Sequence, residues 1–148
     1  MAGRGEVLPP TARNDLLQLQ RRALQYFLDN QAANGLVRDR QSNRGPLRDT
    51  ALCSTATTGM GFIGLALASA EPYRLLTRDA AVDRIRVGLS AALEKLPHSH
   101  GILPHFIDAG TGAVYGWDHF STVDSAWLLA GALWAAEFLQ DARRDGGL

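Results

Sequence analysis

Ser54-Thr-Ala-Thr-Thr-Gly-Met-Gly-Phe-Ile-Gly-Leu-Ala-Leu-Ala-Ser-Ala70 carries no charged side chain. Its residues predict a helix that is apolar on every side, and such a helix must be covered on every side. Gly59, Gly61 and Gly64 let neighbours approach closely, and Pro72 ends the segment. A second segment of the same kind runs from Ser121 to Leu139, opening with Ser121-Thr-Val-Asp124. That start matches the capping-box pattern, in which a hydroxyl and a carboxyl satisfy each other's backbone amides. Trp127, Trp134 and Phe138 fall at helical spacing within it and read as core. Gly131 is read, like the other three glycines, as a point of close helix approach.

Two amphipathic helices separate these apolar ones. Residues 14–29 place Leu16, Leu17, Ala23, Leu24, Phe27 and Leu28 on one side, and Asn34-Gly35 supplies the stop. The next begins at Thr77 as cap with Asp79 in its first turn, and sets Val82, Ile85, Leu89, Leu93 and Leu96 at helical spacing. Residues 36–52 mix Arg, Asp, Ser, Asn, Gly and Pro without periodicity and read as a long irregular loop. The connection 97–120 holds all four histidines, and its Gly101–Asp108 and Ala113–Tyr115 runs read as a short β-hairpin. Residues 1–13 read as a flexible N-terminus and 140–148 as a polar tail.

Amphipathic and apolar helices thus alternate, with long loops at alternate junctions. A double ring meets the burial demand: apolar helices form an inner layer and amphipathic ones an outer layer. The fold class expected is all-α, a partial α/α toroid with a short β-hairpin in one loop. Four helices are two hairpins of such a ring, so open edges expose apolar surface that invites association, including a homo-oligomer.

Composition narrows the function. The 148 residues are 46% hydrophobic and 20% charged, in the ordinary globular range. Fifteen basic residues balance fifteen acidic ones. The chain therefore lacks the positive footprint that phosphate binding uses, and no nucleic acid partner is expected. Residues 125–136 fall short of the ~18 apolar residues of a membrane span, so no membrane partner is expected. The first ten residues hold no apolar run of secretory length. Read as it stands, the sequence implies a cytoplasmic protein; with an incomplete N-terminus, a periplasmic or extracellular one. Cys53 is the single cysteine and reads as a buried small hydrophobe.

Four strings carry a family resemblance: Gly35-Leu-Val-Arg-Asp-Arg40, Ser54-Thr-Ala-Thr-Thr-Gly-Met-Gly61, Gly101-Ile-Leu-Pro-His-Phe-Ile-Asp108 with Thr111-Gly112, and Ser121-Thr-Val-Asp-Ser-Ala-Trp-Leu-Leu-Ala-Gly131. In this order they resemble the opening motifs of the bacterial glucoamylase-like family. That family includes β-1,2-glucan hydrolases and a domain of cyclic β-1,2-glucan synthases. The resemblance spans residues 14–139. It implies an α/α toroid with a substrate cleft at the mouth of the ring, a β-glucan or oligosaccharide as partner, and a family domain longer than this chain. Arg38 stands where the family tends to have proline, and His119 about where it has an acidic residue.

Glycoside hydrolysis uses two carboxyl groups on opposite sides of the scissile bond. Asp118 and Asp124 are the catalytic candidates. Asp118 reads either as acid or base beside a sugar, with Trp117 as stacking platform, or as a solvated loop carboxylate. Asp124 reads as the helix cap and, at the mouth of a ring, as a lining of the cleft. Substrate-binding candidates are Asp39, Arg40, His105, Asp108, Trp117 and His119. Asp39, between Arg38 and Arg40, serves either sugar hydroxyls or a loop-ordering ion pair. The histidines match no ligand spacing, so neither a metal nor a cofactor is expected. A non-catalytic helical module that oligomerises or docks through its open edges is the alternative reading.

Overall fold

The computed structural model describes residues 9–42, 52–116 and 119–145. Four helices account for most of it: α1 (Pro10–Asn30), α2 (Thr55–Ser69), α3 (Arg78–Glu94) and α4 (Thr122–Asp145). Strands β1 (Leu52–Ser54) and β2 (Phe106–Asp108) form a two-stranded antiparallel sheet. The architecture is the all-α partial toroid expected, with α2 packed against all three other helices.

Why α2 occupies the middle follows from its glycines. A Cβ on Gly59 would sit 2.5 Å from the Leu128 Cα of α4, and one on Gly61 would sit 2.6 Å from the Val37 side chain. A Cβ on Gly64 would run into the Phe27 ring of α1. Three bare positions therefore admit three neighbours at backbone distance. Phe62, Leu65 and Ala68 are fully enclosed, together with Ile85 of α3 and Ala135 of α4. The Thr77 hydroxyl caps α3 by accepting the Ala80 amide at 3.2 Å.

Helix limits differ from the periodicity reading. α1 begins at Pro10, because proline suits a first helical turn whose amides lack partners anyway. It stops at Asn30, ahead of Gly35, because Gln31 is extended and bridges back to Val37. Gly35, at φ +86°, makes the turn that follows and lies against the backbone of Gly88 in α3. α4 continues to Asp145, so residues 140–145 are helical and carry the basic last turn of Arg143 and Arg144.

Another difference lies in the core. Trp127 and Trp134 are about half exposed, at 48% and 50%, and only Phe138 packs on the core. The expectation that all three are core is corrected. α4 has neighbours along one side, where Asp124, Leu128, Gly131 and Ala135 are buried, and none on the other among the described residues. Leu93 of α3, read as apolar-face, is 80% exposed beside the same open side.

Candidate functional site

Antiparallel helices place both long connections at one end, where α2 and α4 start. There the backbone weaves a small irregular sheet. β1 pairs with β2 through Leu52–Asp108, Cys53–Ile107 and Ser54–Phe106. Arg38 bridges to Cys53 on one side, and Ile107 bridges to Val114 on the other. The hairpin read between 101–108 and 113–115 is present in this last contact, with the Tyr115 amide donating to the Phe106 carbonyl at 3.0 Å. β1 itself fell inside the segments read as loop and helix. Residues 43–51 lie outside the described ones.

Hydroxyls at the start of α2 tie this sheet down. Thr58 Oγ1 accepts the Val37 amide at 3.0 Å and donates to the Ser54 carbonyl at 2.8 Å. Thr57 Oγ1 lies 3.3 Å from the Val37 carbonyl, and Thr55 Oγ1 donates to the Pro104 carbonyl. The Ser54-Thr-Ala-Thr-Thr string therefore acts as a clamp holding both connections to one helix end. Tyr26 of α1, not singled out in the sequence, adds a further tie by donating to the Arg38 carbonyl at 2.7 Å. Burial and the nearby Asp39 push its phenol above the ordinary value. Cys53, fully enclosed in the sheet, has its thiol pushed up to about 11 by burial.

On this floor several candidate side chains meet. Arg40 Nε and Asp39 Oδ2 pair at 2.9 Å, and the Arg40 guanidinium lies 5.9 Å from the centre of the Phe106 ring. The His105 imidazole stacks on Phe106, with centroids 3.7 Å apart and planes 20° from parallel. Its Nε2 faces Asp124 Oδ1 at 3.7 Å, beyond direct hydrogen-bond length. Asp39, Arg40, Phe106, His105 and Asp124 thus form one continuous strip. His119 adjoins it, since its carbonyl accepts the His105 amide at 3.2 Å. Phe106 joins the strip as its platform.

Asp124 is 8% exposed and forms half of the expected capping box. Its amide donates to Ser121 Oγ at 3.3 Å, as the pattern requires. The reciprocal bond is absent, because the Ser121 amide donates to the Leu103 carbonyl at 2.8 Å. Asp124 Oδ2 accepts the Ser121 hydroxyl instead, leaving Oδ1 turned toward His105. A carboxylate relieved of backbone duty can accept from a ligand.

Asp108 stands apart from this strip in its bonding. Its Oδ1 accepts the Thr111 amide at 2.8 Å, the Thr111 hydroxyl at 3.0 Å and the Gly110 amide at 2.9 Å. Those bonds hold its carboxyl below the usual range and build the turn after β2. Trp117 and Asp118, a substrate-binding and a catalytic candidate, lie outside the described residues.

No protein-family model and no curated protein matches the sequence. Solved structures do. An endo-β-1,2-glucanase from Chitinophaga pinensis, solved with sophorotriose and glucose, superposes with a TM-score of 0.71 at 23% identity, over 86% of this chain and 31% of the other. A protein assigned as a glucoamylase from Bacteroides caccae superposes with a TM-score of 0.67 at 26% identity, over 80% and 30%. The fold is that of the bacterial glucoamylase-like proteins. Another so assigned, from Bacteroides fragilis, gives a TM-score of 0.67 at 24% identity, over 90% and 32%. The chain spans about a third of the length of these glucoamylase-like structures. No described helix is long and apolar enough to cross a membrane.

Proposed function

We propose that the strip from Asp39 to Asp124 binds a β-linked glucan, and that the preferred linkage is β-1,2. The observation that carries this reading is Asp124: a nearly enclosed carboxylate with one oxygen held by the Ser121 hydroxyl and the other facing an imidazole stacked on a phenyl ring. Sugar rings present hydroxyls around their edge and C–H bonds on their faces. Charged acceptors and donors such as Asp124, Asp39 and Arg40 suit the first, and Phe106 suits the second. A sugar hydroxyl seated beside the His105–Asp124 pair would donate to Asp124 Oδ1, which lies 3.7 Å from His105 Nε2. The sophorotriose in the Chitinophaga pinensis glucanase supports the choice of linkage.

Asp124 is assigned as one carboxyl of a hydrolytic pair, and Asp118 is its candidate partner. Calorimetric titration of the chain with sophorotriose and with β-1,3- and β-1,4-linked glucose trimers tests the reading. Saturable heat is expected for sophorotriose first. Asp124→Asn should weaken it about 10- to 100-fold, the value of a hydrogen bond to a charged group. A folded chain that takes up none of the three sugars would sink the proposal.

A further inference from the structure

Asp39 and Arg40, the two charged side chains at one end of the strip, lie in a segment that α1 holds from behind. Arg38, just before them, is fixed at both backbone atoms. Its amide donates to the Asn30 carbonyl at 2.9 Å, and its carbonyl accepts the Tyr26 hydroxyl at 2.7 Å. Gln41, just after them, is caught by its side chain: Asn30 Nδ2 donates to Gln41 Oε1 at 2.6 Å. Tyr26 and Asn30 stand four residues apart and so share one face of α1. Between the two anchors, the Asp39 amide donates to the Leu52 carbonyl of β1 at 3.1 Å.

Asn30 is fully buried, and its bonding is uneven. Nδ2 serves two acceptors, Gln41 Oε1 and the Tyr26 carbonyl at 2.9 Å. A backbone carbonyl can only accept, which fixes the nitrogen on that side and turns Oδ1 away. Oδ1 has no partner among the described residues. A buried acceptor in that state lowers stability, and leucine, of similar volume, would fill the place without the penalty. What asparagine supplies at this position and leucine cannot is the bond to Gln41.

We propose that Asn30 is a positioning residue for the strip: with Tyr26 it brackets residues 38–41 and so presents Asp39 and Arg40 to a bound glucan. This rests on the sugar reading of the strip and names what orders one end of it. The Arg40 side chain is 62% exposed and its printed ion-pair partner is the neighbouring Asp39. A pair tied to itself is aimed by the backbone beneath it. A segment already ordered loses less freedom when a ligand binds, so the bracket contributes affinity without touching the sugar.

Gln41 is exposed, so Gln41→Ala opens the bracket without disturbing the core. Its urea midpoint should match that of the wild-type chain. In calorimetric titration it should bind sophorotriose about three- to tenfold more weakly, the value of one hydrogen bond. In the sugar-free protein, amides 38–41 should exchange with deuterium faster, read by mass spectrometry. Asn30→Leu should weaken binding by a similar factor, with circular dichroism confirming that it is helical. The double variant should be no weaker than either single one, because both changes remove the same bond. A purely structural role for Asn30 would not extend to an exposed glutamine. Wild-type affinity in Gln41→Ala overturns the proposal, and so do losses that multiply in the double variant, which would mean that Gln41 meets the sugar itself. Should Asn30→Leu fail to fold, exchange in Gln41→Ala decides, and an unchanged rate overturns the bracket. A wild-type chain that takes up no sugar fails earlier: it sinks the sugar reading, and the proposal with it, before any variant is made.

Discussion

α2 and α4 read alike in the sequence and end up in opposite circumstances. Both are long, uncharged through most of their length and opened by a serine cap. α2 is covered by α1, α3, α4 and the sheet floor over most of its surface: Phe62 and Leu65 are fully buried, while Met60 and Leu67 stay more than a third exposed. α4 is covered along one stripe only, and Trp127, Leu129, Leu133 and Trp134 face outward. Apolarity all round states how many neighbours a helix requires. Whether those neighbours belong to the same stretch of chain is a separate matter, decided by topology.

Truncating one large side chain on each helix breaks or sharpens this contrast most directly. Phe62→Ala should lose about 3–5 kcal/mol, because the ring is fully enclosed and its removal leaves a cavity. Leu133→Ala should lose less than about 1 kcal/mol. Urea denaturation followed by circular dichroism measures both. Equal losses would mean that α4 is covered in solution. Gly131→Ala comes next, at about 1–3 kcal/mol, because the added methyl would collide with the backbone of Gly59. On the outer stripe of α4, alanine is already present at positions 126, 130 and 136, so the penalty is tied to the face and not to the helix.

What could be read from the sequence follows the same division. The four helices, their order and the long-loop junctions were legible, because periodicity and capping are local signals. α3 begins at its Thr77 cap as expected. β1 was not legible: three residues pairing with Phe106–Asp108 leave no alternation to detect, and their partner lies far along the chain. Asp39, Arg40, His105 and Asp124 were singled out individually and do converge, with His119 beside them. Their convergence depends on hydroxyls of Thr55, Thr57 and Thr58, which read only as part of an apolar helix. The tryptophans misled for a different reason. Helical spacing places Trp127 and Trp134 on one face, but it cannot say that this face lacks a neighbour.

The two serine caps offer the smallest contrast and the most informative one about the site. Ser54 is 2% exposed and its hydroxyl accepts the Thr57 amide at 3.3 Å. Ser121 accepts the Asp124 amide and also donates to the Asp124 carboxylate. Ser54→Ala and Ser121→Ala should each lose about 1 kcal/mol of stability, the usual value of a helix cap. Their effect on sugar uptake should differ. Without the Ser121 hydroxyl, Asp124 Oδ2 loses its donor and the carboxylate is free to rotate away from the imidazole of His105. Sophorotriose binding should then weaken several-fold in Ser121→Ala and stay near the original value in Ser54→Ala, measured at a temperature where both are folded. If both variants bind equally well, Asp124 is held by something other than Ser121, and the role assigned to that hydroxyl is wrong. If both lose binding in proportion to their stability, the sheet floor matters more than the orientation of the carboxylate.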